Sequence, residues 1–217
     1  MALPSIYVIF IIASAFLLSG CATSRDVVSL SIPASGKVSA SNGRQIYIRS
    51  VVDKRRFEVN PRSPNIPSLD PSETENDEIK RRAIARKRGG FGKAFGDILL
   101  KEGQTVESVI SDSLRQAFTE EGYTVVVGSS DSSKKNLEVV DVEINQFWSW
   151  MNPGFWAITL STEIGTDIIV QASGDGEKKP VYVKAADHFQ TGVESNWLDV
   201  MHTALRDYIN EVKAKIK

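Results

Sequence analysis

One thiol, two imidazoles and a few clusters of charge are the groups in this 217-residue chain with chemistry to offer. Cys21 is the only cysteine, which excludes an internal disulfide and a multi-thiolate metal site and leaves alkylation or thiolate chemistry for that sulfur. His188 and His202 are the only histidines, far apart and on different expected elements, with no companions at metal-ligand spacing. They read as surface residues, and no metal or cofactor is expected. No Ser-His-Asp arrangement is legible. Asp141 and Glu143 share a parity on an expected strand; a glycan-cleaving enzyme needs such a pair inside an enclosing pocket, whereas an open sheet face carries it as ordinary polar surface. The run GGFGKAFGD has the wrong spacing for a phosphate loop, and no Ser or Thr follows Lys93.

The setting of Cys21 is more specific. A continuous apolar run from Ile6 to Leu18 leads into Leu18-Ser19-Gly20-Cys21, a branched apolar residue and two small ones before a thiol. This has the form of a bacterial lipobox, although no Lys or Arg precedes the apolar run. The resemblance implies that residues 1–20 are a signal peptide, that the sulfur of Cys21 takes a diacylglyceryl group, and that the mature chain begins at an acylated Cys21. Each buried methylene contributes about 0.8 kcal/mol, so two or more acyl chains anchor a domain stably where one does not. Ala22 follows, where lipoproteins retained in the inner membrane often carry Asp, and the expected address is the inner leaflet of the outer membrane, facing the periplasm. A net charge of −1 offers no case for nucleic acid as a partner.

Two further segments are candidate contact surfaces. FWSWMNPGFW, Phe147 to Trp156, carries three of the four tryptophans, with turn chemistry at Asn152-Pro153-Gly154. Trp148, Trp150 and Trp156 share parity with Ile144 and Ile158, which puts them at the end of the core; Phe147 and Phe155 take the opposite parity, with Met151 at the turn. Phe147, Trp150, Met151, Phe155 and Trp156 are therefore the candidate contacts for a partner or membrane. The second segment, KRRAIARKRGGFGK, supplies Lys80, Arg81, Arg82, Arg86, Lys87, Arg88 and Lys93 as a candidate patch for an anionic ligand, whether lipopolysaccharide, phospholipid phosphate or an acidic protein, beside an acidic run that would partly neutralise it.

The elements that must position these residues read as follows. Residues 21–44, rich in Ser, form a lipidated tether with a short first strand at VVSLSI, and 45–217 form the folded domain. QIYIRSVVD alternates as a strand; residues 56–93, with Pro61, Pro64, Pro67 and Pro71 and then the charge runs, read as a long exposed loop. Val106, Val109, Ile110, Leu114, Ala117 and Phe118 make a helical stripe capped by Thr105, with Gly122 behind it. A strand over Tyr123–Val127 and a three-strand meander follow, with a bend near Gly165, then a last helix with a stripe from Trp197 to Ile216. The expected fold is α+β: a single antiparallel-rich sheet of about four to five strands with two amphipathic helices on one face.

The lipobox Cys21, the helix-glycine-strand segment LRQAFTEEGYTVVV, the hairpin VDVEINQFWSW to WAITLSTEIGTDIIV and the capped C-terminal helix together resemble the YajG-like family of uncharacterised bacterial outer-membrane lipoproteins. The proline-rich insertion and its basic stretch depart from that pattern. The resemblance implies lipidation of Cys21, and the family has no established activity to carry over. The expected function is that of a non-catalytic lipoprotein that binds or supports an envelope component. The alternatives are a subunit of an envelope transport or appendage machine, and a glycan-acting enzyme of the cell wall. Membrane through the anchor, and an envelope protein or anionic lipid, are the expected partners.

Overall fold

A computed structural model of the chain describes residues 25–89, 92–127, 137–171 and 176–216. Among these residues there are eight strands and three helices: β1 (Asp26–Val28), β2 (Gln45–Asp53), α1 (Asp77–Arg82), β3 (Ala83–Arg88), β4 (Ala94–Leu100), α2 (Val106–Glu120), β5 (Thr124–Val126), β6 (Leu137–Pro153), β7 (Ile158–Gln171), β8 (Glu177–Phe189) and α3 (Glu194–Ile216). All eight strands belong to one mixed sheet, which corrects the expected four to five strands and two helices; the α+β class is retained.

The sheet is built on a long antiparallel meander, β6–β7–β8. The other edge of β6 is divided between two wings. Its first half pairs in parallel with β2, which carries β5 beyond it. Its second half pairs in parallel with β3 at Ala85↔Ser149 and Arg86↔Trp150, and β3 carries β4 and then β1. Helices α2 and α3 pack on each other and on the sheet, α2 against β2 and β5, α3 against β7 and β8. Their stripes lie as the 3.6-residue period requires: Val109, Ile110, Leu114 and Phe118 on α2, and Trp197, Met201, Leu205 and Tyr208 on α3, are all buried. Thr105 accepts from the Ser108 N–H while Ser108 Oγ accepts from the Thr105 N–H, closing a capping box at the start of α2.

A β-bulge lies where the two wings meet, between Ile144 and Gln146 on β6, opposite Gly165 of β7. The irregularity expected at Gly165 therefore falls on its partner strand. A Cβ at Gly165 would come within 3.3 Å of Gln146 Cβ, so a larger residue would press on the bulged strand here. One inserted residue reverses side-chain parity. Phe147 consequently joins Ile144 in the core under the helices, and Trp148 and Trp150 turn to the opposite face. This corrects the shared parity of Ile144, Trp148 and Trp150 expected from simple alternation.

That opposite face has a second, smaller core of Leu69, Ala83, Leu99, Trp148 and Trp150, with Phe57 and Ile79 against it. The insertion read as an exposed loop over 56–93 is what covers it. Its later part is α1 and β3, a strand inside the sheet, and its proline-rich part is tied down: Trp148 Nε1 donates to Pro64 O at 3.3 Å and Gln146 Nε2 to Asn65 O at 2.7 Å. The described part of the expected tether is also packed. Val28 and Leu30 are buried in the main core, and Ser39 and Asn42 donate their backbone N–H groups to the carbonyls of Glu120 and Gly122.

Glu120, at the end of α2, fastens this first segment to both helices. Its buried carboxylate accepts from the Gly36 N–H at 2.7 Å, Gln116 at 2.9 Å and Lys213 of α3 at 2.7 Å. Burial alone pushes its pKa up, but Lys213, the Gly36 N–H and Gln116 outweigh burial and hold it at about 2, below the ordinary 4.5. A depressed carboxylate contributes stability that is full above the unfolded-state pKa and is lost as pH falls toward the folded one. Unfolding free energy is therefore expected to drop between about pH 4.5 and pH 2, and urea titrations of Glu120→Gln are expected to show a shallower drop over that window.

Candidate contact surface at one end of the sheet

The strand directions collect seven boundaries at one end of the molecule. β3, β6 and β8 finish there, and β1, β4, β7 and α3 begin there. The β6–β7 hairpin turns at this end. Its closing pair is Gly154 and Ala157, joined by a Gly154 N–H to Ala157 O bond of 2.9 Å, so its two loop residues are Phe155 and Trp156. The turn is thus centred two residues beyond the expected Asn152-Pro153-Gly154. A side chain at position 154 would strike the Ala157 carbonyl at 2.5 Å, which requires glycine there.

Phe155 is 90% exposed and Trp156 83% exposed, their rings edge to face with centroids 4.8 Å apart. Favoured two-residue hairpin loops take Gly, Asn or Asp, so turn formation does not call for two aromatic residues here. Around the tip, Ile158 and Phe189 are paired and half-buried, and Val193 in the β8–α3 loop is 52% exposed. The five candidate contacts thus separate: Phe155 and Trp156 face solvent, Met151 is half-buried, Phe147 lies in the main core and Trp150 in the second core, where Lys184 Nζ stands 5.0 Å from its ring centroid.

The seven basic candidates do not form one outward patch. Arg81 pairs with Glu107 at 3.0 Å, Arg82 with Glu78 at 3.5 Å, and Lys80 with Asp77 at 3.5 Å around α1. On β3, Arg86 is buried against Asp97 at 3.3 Å and Lys87 against Asp26 at 2.5 Å; Arg88 Nη2 donates to Ser68 Oγ at 2.6 Å. Burial and the neighbouring Arg86 both pull the Arg88 guanidinium below its ordinary pKa. Lys93, in the β3–β4 connection, is exposed.

Sequence reasoning missed Arg25. Its Nε donates to Asp97 Oδ1 at 2.7 Å and its Nη1 to Glu73 at 3.0 Å, and those two carboxylates raise its pKa. Asp97 therefore serves both Arg25 and Arg86, and the chain is clamped to the insertion and to β4 one residue before β1 begins. A lone arginine before a three-residue strand carries no periodic signal that would have revealed this. Cys21 lies outside the described residues.

Of the acidic pair on β6, Asp141 is engaged in the sheet's own contacts. Asp141 accepts from Arg49 Nε at 2.9 Å, Ser50 Oγ at 2.6 Å and Gln171 at 3.2 Å, and Arg49 foremost holds it below the usual carboxylate range. His188 bonds Thr159 at 3.0 Å and His202 bonds Ser31 at 3.2 Å, on separate elements. A cleft of about 560 Å³ opens between the insertion and the sheet, lined by Lys54, Arg56, Glu58, Gln146, Glu163 and Tyr182 among others.

No family model and no curated protein matches the chain. Among solved structures, it is similar to a Xanthomonas campestris protein of the DUF330 family, with 12% identity and a TM-score of 0.47 over 88% of this chain and 95% of that one. It is also similar to an uncharacterised protein, with 9% identity and a TM-score of 0.46 over 90% and 99%. A third is a putative neuraminyllactose-binding hemagglutinin homolog from Helicobacter pylori, with 12% identity and a TM-score of 0.40 over 88% and 92%.

Proposed function

We propose that the protein is a YajG-like, lipid-anchored and non-catalytic domain at the periplasmic face of the bacterial outer membrane, where it binds or supports an envelope component. The observation that carries this reading is Leu18-Ser19-Gly20-Cys21 at the end of an apolar run, five residues before the first strand. Among the described residues no helix is long and apolar enough to cross a membrane. The glycan-enzyme alternative draws no support from Asp141: a general acid needs its pKa raised toward the working pH, and Arg49 pulls this one down. The alternative of a subunit in a transport or appendage machine draws on the outer edge of β8, a 13-residue strand paired on one side with β7. Pro180 and the lysines Lys178, Lys179 and Lys184 on that strand oppose indiscriminate strand addition.

The test is the mass of the protein purified from bacterial membranes. A chain beginning at Cys21 with acyl chains on it is expected. Cys21→Ser is expected to remain unprocessed and to lose the acyl mass. An unmodified thiol on the wild-type chain overturns the reading.

A further inference from the structure

We propose that the β6–β7 tip is a membrane-insertion element: Phe155 and Trp156 sit in the headgroup–acyl boundary of the same bilayer that holds the acyl chains of Cys21. This rests on the anchoring reading above and adds to it an orientation and a second point of attachment.

Chain direction makes the case. β1 runs parallel to β4 and antiparallel to β3 and β6, so the residues before Asp26 leave the sheet at the end where the tip lies. The registers Asp26↔Ile98, Ile98↔Ala85 and Ala85↔Ser149 set Asp26 level with Ser149. From Ser149 to Pro153 β6 advances four residues, about 13 Å at 3.3 Å each. From Asp26 back to Cys21 there are five residues, which span about 17 Å at most. The two strands are separated by three strand spacings, about 14 Å. The longest reach of the acylated residue thus brings it to about the level of the tip. Arg25, held by Asp97 and Glu73, fastens the chain one residue before that starting point. A domain on so short a leash, leaving from that end, presents that end to the membrane.

The composition of the tip suits the position. Trp and Phe together expose a ring pair that neither the turn nor the core requires, and Trp favours the bilayer interface. The cations Arg86, Lys87 and Arg88 are engaged within the fold and Lys93 is exposed, so at this end the tip acts mainly through apolar insertion, and zwitterionic lipid suffices.

The experiment uses the full chain, purified from bacterial membranes with its mass measured and reconstituted into phosphatidylcholine vesicles whose acyl chains carry bromine at defined depths. Trp148, Trp150 and Trp197 are buried, so the difference between the wild-type chain and Trp156→Phe isolates the emission of Trp156. The expected result is a blue-shifted Trp156 emission, quenched most by bromines near the headgroups and shielded from aqueous iodide. Phe155→Asp is expected to reduce the quenching and blue shift while leaving the melting temperature unchanged, because Phe155 touches water and not the core. An acylated, vesicle-bound protein whose Trp156 emits as in water and is quenched by iodide overturns the insertion alone. An unmodified Cys21 overturns the anchoring reading and this inference with it.

Discussion

Arg55→Ala is expected to lower the unfolding free energy by about 3–5 kcal/mol, a large share of the roughly 5–15 kcal/mol that stabilises a domain. The side chain of Arg55 is wholly buried, and it occupies the fork of the sheet. β2 leaves the edge of β6 at Asp53↔Ile144 and β3 joins it at Ala85↔Ser149, so the β6 carbonyl at Phe147 lies between two strands and pairs with neither. Arg55 Nη1 donates to that carbonyl at 2.9 Å and to Ala83 O, at the start of β3, at 2.7 Å. Nη2 donates to Lys80 O in the last turn of α1 at 2.7 Å, and the remaining donors grip Asp53 between 2.8 and 3.1 Å. Alanine would leave three carbonyls and a nearly buried carboxylate without these donors. Lysine would keep the charge but lacks the planar fork that serves four acceptor groups at once, so Arg55→Lys is expected to recover less than half of the loss. Urea denaturation followed by tryptophan fluorescence checks both variants; a change below about 1 kcal/mol for alanine contradicts this role.

The two long helices and β7 were legible because each obeys one period along its length, and β6 was legible as a strand although its parity switches at the bulge. The stripe Val106 to Phe118 repeats at three and four residues, and Leu160, Ile164 and Ile168 hold one parity along β7. β3 was not legible. AIARKR reads as a block of solvated charge, and the groups that let Arg86, Lys87 and Arg88 enter a sheet are Asp97, Asp26 and Ser68, each brought in from another segment. Ion pairs between distant segments leave no local pattern. The bulge at Gln146 was equally silent, yet it decides which aromatic residues face which core. At the candidate surface, the hairpin and its apolar tip were legible from Asn152-Pro153-Gly154. That β1 leaves at the same end depends on its parallel pairing with β4, and a three-residue strand carries too little alternation to disclose a partner.

Trp148→Ala tests the second core, with an expected loss of about 3–5 kcal/mol. The indole is fully buried on the face away from α2 and α3, set edge to face against Phe57 with centroids 5.9 Å apart, and it donates to Pro64 O. It is the largest side chain between the sheet and the proline-rich segment, which has no helix or strand before α1 and keeps its place through such contacts. Because those contacts are local to one face, the damage should be local as well. Arg56 and Arg62 are exposed within this segment, and trypsin is expected to cut after them in Trp148→Ala under conditions where the wild-type chain resists. The core under α2 and α3 shares none of the residues of this smaller cluster, so circular dichroism of the variant should retain its helical signal at temperatures where cleavage has begun. Loss of the helical signal in step with cleavage would mean instead that the two cores unfold as one unit, with the bulged strand β6, which contributes Phe147 to one and Trp148 to the other, as the element that joins them.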